Sequence, residues 1–121
     1  MLERLLGLFL GPSVKIQGVD KLPEGESRKV SIGDPLAGGT EIILCRREGK
    51  LFAIDVLCPH EGGRIVAGPL LEGRYVICPL HNYKFDPANG RAVGVACKSA
   101  QTYRVVEKGR DCDVFVRANT P

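Results

Sequence analysis

Both histidines of this 121-residue chain lie in two short clusters, Cys58-Pro59-His60 and Cys78-Pro79-Leu80-His81, with residues 61–77 between them. Thiolate is a soft ligand and imidazole an intermediate one, and iron and zinc accept both. Cys58, His60, Cys78 and His81 are therefore candidate ligands of a metal centre. Ligand types alone leave the metal open between a structural zinc and an iron–sulfur cluster. Spacing bears on the choice. Zinc-finger patterns usually keep like ligands together, whereas each cluster here supplies one Cys and one His. Two loops that each give one thiolate and one imidazole suit a two-iron cluster, in which one iron takes both Cys and the other both His.

Across most of its length the chain resembles the Rieske family, most specifically over CPHEGGRIVAGPLLEGRYVICPLHNYKFDPANG (58–90). The resemblance implies one [2Fe–2S] cluster, with Cys58 and Cys78 on the inner iron and His60 and His81 on the outer iron near the surface. A loop that wraps an inorganic cluster needs tight turns and backbone N–H groups aimed at anionic sulfur. Gly62, Gly63 and Gly68 are assigned to the first loop and Pro79 to the second. Asp86-Pro87-Ala88-Asn89-Gly90 reads as a turn that returns the chain to the core.

The elements that must hold these loops are short. Fifteen Gly and eight Pro are spread along the chain between brief apolar runs, which points to an all-β fold. Extended runs are expected at 14–18, 28–32, 41–46, 51–55, 74–78 and 83–85. EIILCRREGKLFAID reads as a hairpin turning at Glu48-Gly49-Lys50. TYRVVEK (102–108) and CDVFVR (112–117) read as a closing hairpin around 108–111. The layout expected is one domain over 1–121, a β core with residues 57–95 inserted. The resemblance gives this the form of a Rieske-type β-sandwich or barrel with a cluster-binding subdomain. Residues 1–12 are an N-terminal extension, with a short amphipathic helix at 2–9 ended by Gly11-Pro12, and Ala118 to Pro121 form a loose end.

Composition narrows the function classes. A formal net charge of +3, with no basic stripe interleaved with aromatics, gives no reason to expect nucleic acid. The apolar start carries Glu3 and Arg4 and stops far short of the roughly 20 residues a membrane span needs. It also lacks the form of a secretory signal. Five Cys do not fall into a paired framework, which agrees with a reducing compartment, so the cytoplasm is the expected location. Cys45 and Cys112 fall in expected strands as small buried residues, and Cys97 falls in a loop with no assigned role.

These features point to an electron carrier rather than an independent enzyme. A complete ring-hydroxylating oxygenase needs a mononuclear iron site with two further His, and none remain. The resemblance implies a ferredoxin that shuttles single electrons between a flavoprotein reductase and a terminal oxygenase or reductase. A small subunit attached to the large subunit of an assimilatory nitrite reductase is the alternative. Arg64, Lys84 and Arg91, near the His ligands, would suit an acidic partner surface.

The resemblance also bears on redox tuning. High-potential Rieske proteins carry an extra Cys in each cluster loop, joined as a disulfide, and Ser and Tyr hydroxyls that hydrogen-bond to sulfur. Here the loop neighbourhoods are Glu61-Gly62-Gly63 and Leu80, and the hydroxyl places fall to Tyr83 and Phe85. Hydrogen bonds to sulfur stabilise the reduced, more negative cluster, so their loss lowers the potential. A redox titration is expected to place the midpoint toward the lower end of the roughly −150 to +300 mV Rieske range. A value in the upper half would refute this reading.

Overall fold

The computed structural model describes residues 12–32, 39–59 and 62–116. Its organisation follows from the run EIILC at 41–45, which lies in strand β3 (Thr40–Arg47). Successive side chains of a strand point to opposite faces. Ile42 and Leu44 enter one apolar cluster, Ile43 and Cys45 enter another, and all four are fully shielded. A strand apolar on both faces must lie in a middle layer, which is why this run shows no polar alternation.

The middle sheet runs in the order β2 (Ser27–Ile32), β3, β4 (Lys50–Asp55) and β9 (Thr102–Tyr103), antiparallel throughout. One of its faces packs on Ile16, Cys112 and Val114. These belong to an outer sheet of β1 (Ser13–Ile16), β11 (Asp111–Phe115) and β10 (Val105–Lys108). Its other face packs on Leu70, Val76, Cys78 and Phe85. They belong to a third sheet of β5 (Val66–Leu71), β6 (Tyr75–Cys78), β7 (Tyr83–Phe85) and β8 (Ala92–Val93). The expected all-β architecture is what the structure shows, and the third sheet falls within residues 57–95.

The β3–β4 hairpin turns at Glu48-Gly49, with φ of 54° and 75°. Two left-handed residues match the right-handed twist of the flanking strands, at the cost of strain for Glu48. The Glu24 carboxylate offsets that strain by accepting the backbone N–H of Glu48 at 2.6 Å and of Gly49 at 2.8 Å. Those hydrogen bonds, that of Gly49 the stronger, hold the Glu24 carboxyl below the ordinary carboxylate pKa.

Three expectations need correction. The run 102–108 is not one strand. Thr102 and Tyr103 pair with β4 in the middle sheet, whereas Val105–Lys108 pair with β11 in the outer one, so the chain changes sheets at Arg104. Strand β5 was not anticipated, because Gly68 and Pro69 interrupt it. It carries a bulge between Val66 and Leu71, and Gly68 has φ 130°. Gly68 does not serve the first loop either. Its carbonyl accepts the Ser27 hydroxyl at 2.7 Å and its N–H donates to the same oxygen at 3.0 Å, which docks β5 on β2. The expected helix at 2–9 and the end at 118–121 lie outside the described residues. Among those described, no helix is long and apolar enough to cross a membrane.

Burial pushes the Cys45 thiol up to about 12. Burial first, and then the charges of Asp113 and Glu107, pushes the Cys112 thiol up to about 11. For Cys112 that leaves roughly 100-fold less thiolate than at an exposed Cys. Both thiols are expected to resist iodoacetamide at pH 8 in the folded protein and to react in urea. Unfolded, they lose their protons near pH 9 while the folded state keeps them. Stability is therefore intact below pH 9 and is lost as pH rises toward 11–12. Urea titrations from pH 8 to 11 check this.

Candidate metal centre

The first loop leaves β4 after Asp55 and is closed at its base by backbone hydrogen bonds. The Val56 N–H donates to the Glu41 carbonyl at 3.2 Å, and the Ile65 N–H to the Val56 carbonyl at 2.7 Å. Leu57 and Arg64 form a single bridge above them. Within the loop the Cys58 N–H donates to the Gly63 carbonyl at 2.7 Å. This holds the Cys58 side chain, 3% exposed, at the edge of the apolar cluster under the third sheet. His60, assigned as a ligand from sequence, lies outside the described residues.

The second loop is the turn of the β6–β7 hairpin. Cys78 pairs with Tyr83, and Pro79-Leu80-His81-Asn82 make the connection, with Asn82 left-handed at φ 57°. The geometry sends the two sequence-assigned ligands of this loop to different depths. Cys78 is buried at 1% exposure, and His81 stands at the surface. The His81 ring lies tilted over Tyr83 with centroids 6.0 Å apart. Phe85, two residues on, is fully buried and has no hydroxyl to offer.

Gly63 is where the loops meet. A Cβ there would stand 2.6 Å from Cys78 Sγ and 3.2 Å from Leu80 Cβ, so no L side chain fits without displacing the thiol. The residue whose carbonyl holds the Cys58 N–H thus makes room for the Cys78 sulfur. Among the described residues, no three His, Cys, Asp or Glu converge as ligands of a single metal ion. Two buried thiols beside one glycine cradle, with an imidazole at the surface, are a donor set that fits a two-iron cluster whose irons differ in ligands.

Of the other expected residues, Cys45 and Cys112 are core packing and Cys97 is half-buried against the core of the third sheet. No disulfide joins any of the five Cys. Arg64 faces Glu41 at 3.4 Å, the Lys84 ammonium sits over the Tyr75 ring at 5.5 Å, and Arg91 is exposed. Sequence reasoning missed the exposed Leu57 and Leu80, at 53% and 50%. The available signal was an apolar side chain next to a ligand in a loop too short to fold it inward.

A sequence profile of the Rieske [2Fe-2S] domain matches residues 13–107. The chain belongs to the Rieske [2Fe–2S] family. It carries a Rieske-type cluster and acts in electron transfer. This Rieske protein is 39% identical over 88 residues to the ferredoxin component of the naphthalene 1,2-dioxygenase/salicylate 5-hydroxylase systems of a Ralstonia species. The match spans 72% of this chain and 79% of that one. In fold it matches a ferredoxin solved in complex with the oxygenase of carbazole 1,9a-dioxygenase. There the TM-score is 0.75 at 18% identity, over 90% of this chain and 97% of that one. It also matches a putative NADH-dependent nitrite reductase small subunit from Mycobacterium tuberculosis, with a TM-score of 0.62 at 20% identity, over 92% and 99% of the two chains.

The Gly63 cradle gives a direct test. Gly63→Ala is expected to lower the iron and acid-labile sulfide bound per chain at least severalfold, while far-UV circular dichroism stays that of the folded β protein. Full cluster content in this variant would show that the two loops close differently.

Proposed function

We propose that Cys58 and Cys78 bind the inner iron and His60 and His81 the outer iron, and that the chain is a ferredoxin passing single electrons from a flavoprotein reductase to a terminal oxygenase. The observation that carries this reading is the change in depth within one four-residue stretch, from a buried Cys78 to an exposed His81. Bound there, a [2Fe–2S] cluster supplies a one-electron couple. The chain's own residues do the rest. The apolar cluster around Cys58 and Cys78 keeps water from the thiolate side. The surface turn offers the imidazole edge, next to the exposed Leu80, to a partner. The Ralstonia relative, similar over most of both chains, supports an oxygenase as the acceptor.

The chain is read as one domain over 1–121, with the cluster-binding insertion at about 57–95 and an N-terminal extension at 1–12. A cytoplasmic location is part of this reading, since five Cys, an odd number, do not fall into the paired framework of a small secreted scaffold. A nitrite reductase small subunit is the second reading, and the shared fold with the mycobacterial protein supports it.

Anaerobic reduction with dithionite is expected to give a rhombic low-temperature EPR signal of the low average g that mixed Cys/His ligation produces. Cys58→Ser and His81→Ala should each abolish or reshape it. Metal-loaded full-length protein with no signal would refute the reading and favour zinc. Stopped-flow oxidation of the reduced protein by a terminal oxygenase, against oxidation by a nitrite reductase large subunit, separates the two acceptors.

A further inference from the structure

Asp55, the last residue of β4, stands three residues before Cys58. Its backbone N–H is fixed to the Gln101 carbonyl at 2.8 Å. Its carboxylate joins two parts of the fold. One oxygen accepts the Tyr103 hydroxyl at 2.8 Å and the other accepts the Leu57 backbone N–H at 2.9 Å. Tyr103 is 8% exposed and belongs to the apolar cluster on the far face of the middle sheet, so its hydroxyl reaches from that core to the base of the first loop.

The charge on Asp55 is balanced differently from that of its neighbours. Glu41 faces Lys29 at 3.5 Å and Arg64 at 3.4 Å, and Asp86 faces Arg47 at 2.8 Å. No Lys or Arg among the described residues pairs with Asp55. Dipoles, one hydroxyl and one amide, hold this anion in place beside the loop.

We infer that Asp55 is a positioning residue that lowers the reduction potential of the centre, held in its place by Tyr103. The inference rests on the reading of Cys58 as a ligand. A fixed anion three residues before a ligand Cys, bonded to the amide next to that Cys, opposes a reduction that adds negative charge there, through a medium that screens less than water. Asp55 also commits the Leu57 N–H to oxygen and keeps it from sulfur, where a donor would raise the potential. Burial and the bond to Asp55 push the Tyr103 hydroxyl up to about 12, so the donor keeps its proton at neutral pH.

Two substitutions give opposite signs. Asp55→Asn keeps an oxygen for the Leu57 N–H and removes the charge, so the midpoint rises. Tyr103→Phe keeps the charge and removes one of the donors that spread it, so the midpoint falls. A purely structural role would reduce stability toward urea in both variants and move neither midpoint.

The test is a spectroelectrochemical titration at pH 7 of cluster-loaded, full-length wild type and both variants, with EPR spectra and urea unfolding alongside. The expected result is a rise for Asp55→Asn and a fall for Tyr103→Phe, each at wild-type cluster content. Either midpoint staying put or moving the other way overturns the inference. If Asp55→Asn does not fold, the direction for Tyr103→Phe decides alone. A wild type without the rhombic signal would instead overturn the ligand reading, which separates the two failures.

Discussion

Burial of the middle sheet on both faces is the constraint on which the rest of the fold depends. Ile42 and Leu44 need one cover, Ile43, Cys45 and Ile54 need another, and neither cover is optional. Leaving one side chain of this size in water costs about 1.5–3 kcal/mol, so an uncovered face would forfeit several times that. The sheet β5–β8 is one of the two covers, and its strands lead directly into the turn that bears Cys78 and His81. The metal loops are therefore part of what closes the core.

Specific polar contacts fix where that cover sits. Arg47, at the end of β3, donates to the Asp86 carboxylate at 2.8 Å and to the Arg74 carbonyl at 3.1 Å, with its guanidinium 5.3 Å from the centre of the Phe52 ring. Its Nε is buried without a hydrogen-bond partner. A largely buried ion pair of this kind gives back much of its attraction as desolvation, and its strength lies in specifying one arrangement. Asp86 in turn organises the turn after β7 by accepting the Ala88 N–H on its side chain and the Gly90 N–H on its carbonyl. Gly90 must lack a side chain because a Cβ would fall on the Ala100 carbonyl. With the Ser27–Gly68 pair, these contacts pin the third sheet at both ends.

How much of this was legible in the sequence depends on the kind of signal. The β3–β4 hairpin, β6, β7 and the 86–90 turn were readable, because each is a local pattern of apolar runs and turn residues. The candidate ligands stood out because both His of the chain sit beside Cys in short loops. Strand β5 was hidden by Gly68 and Pro69, residues that mark a turn unless a distant Ser27 supplies the hydrogen bonds. The change of sheet at Arg104 leaves no trace, because one residue crosses without breaking the alternation. The role of Asp55 was invisible, since its partner Tyr103 lies 48 positions away and only the β4–β9 pairing brings them together.

The crossing at Arg104 also sets where the middle sheet ends. The middle sheet finishes on β9 after two residues, and the third sheet finishes on β8 after two. Rows of unpaired N–H and C=O groups this short give another chain little to zip onto, and the four-residue edge at β10 carries Glu107 and Lys108. The six-residue edges at the other side of the middle and third sheets, β2 and β5, are docked on each other through the Ser27–Gly68 pair. The sheet ends at β8 and β9 thus give copies of the chain little strand edge on which to grow into a fibre.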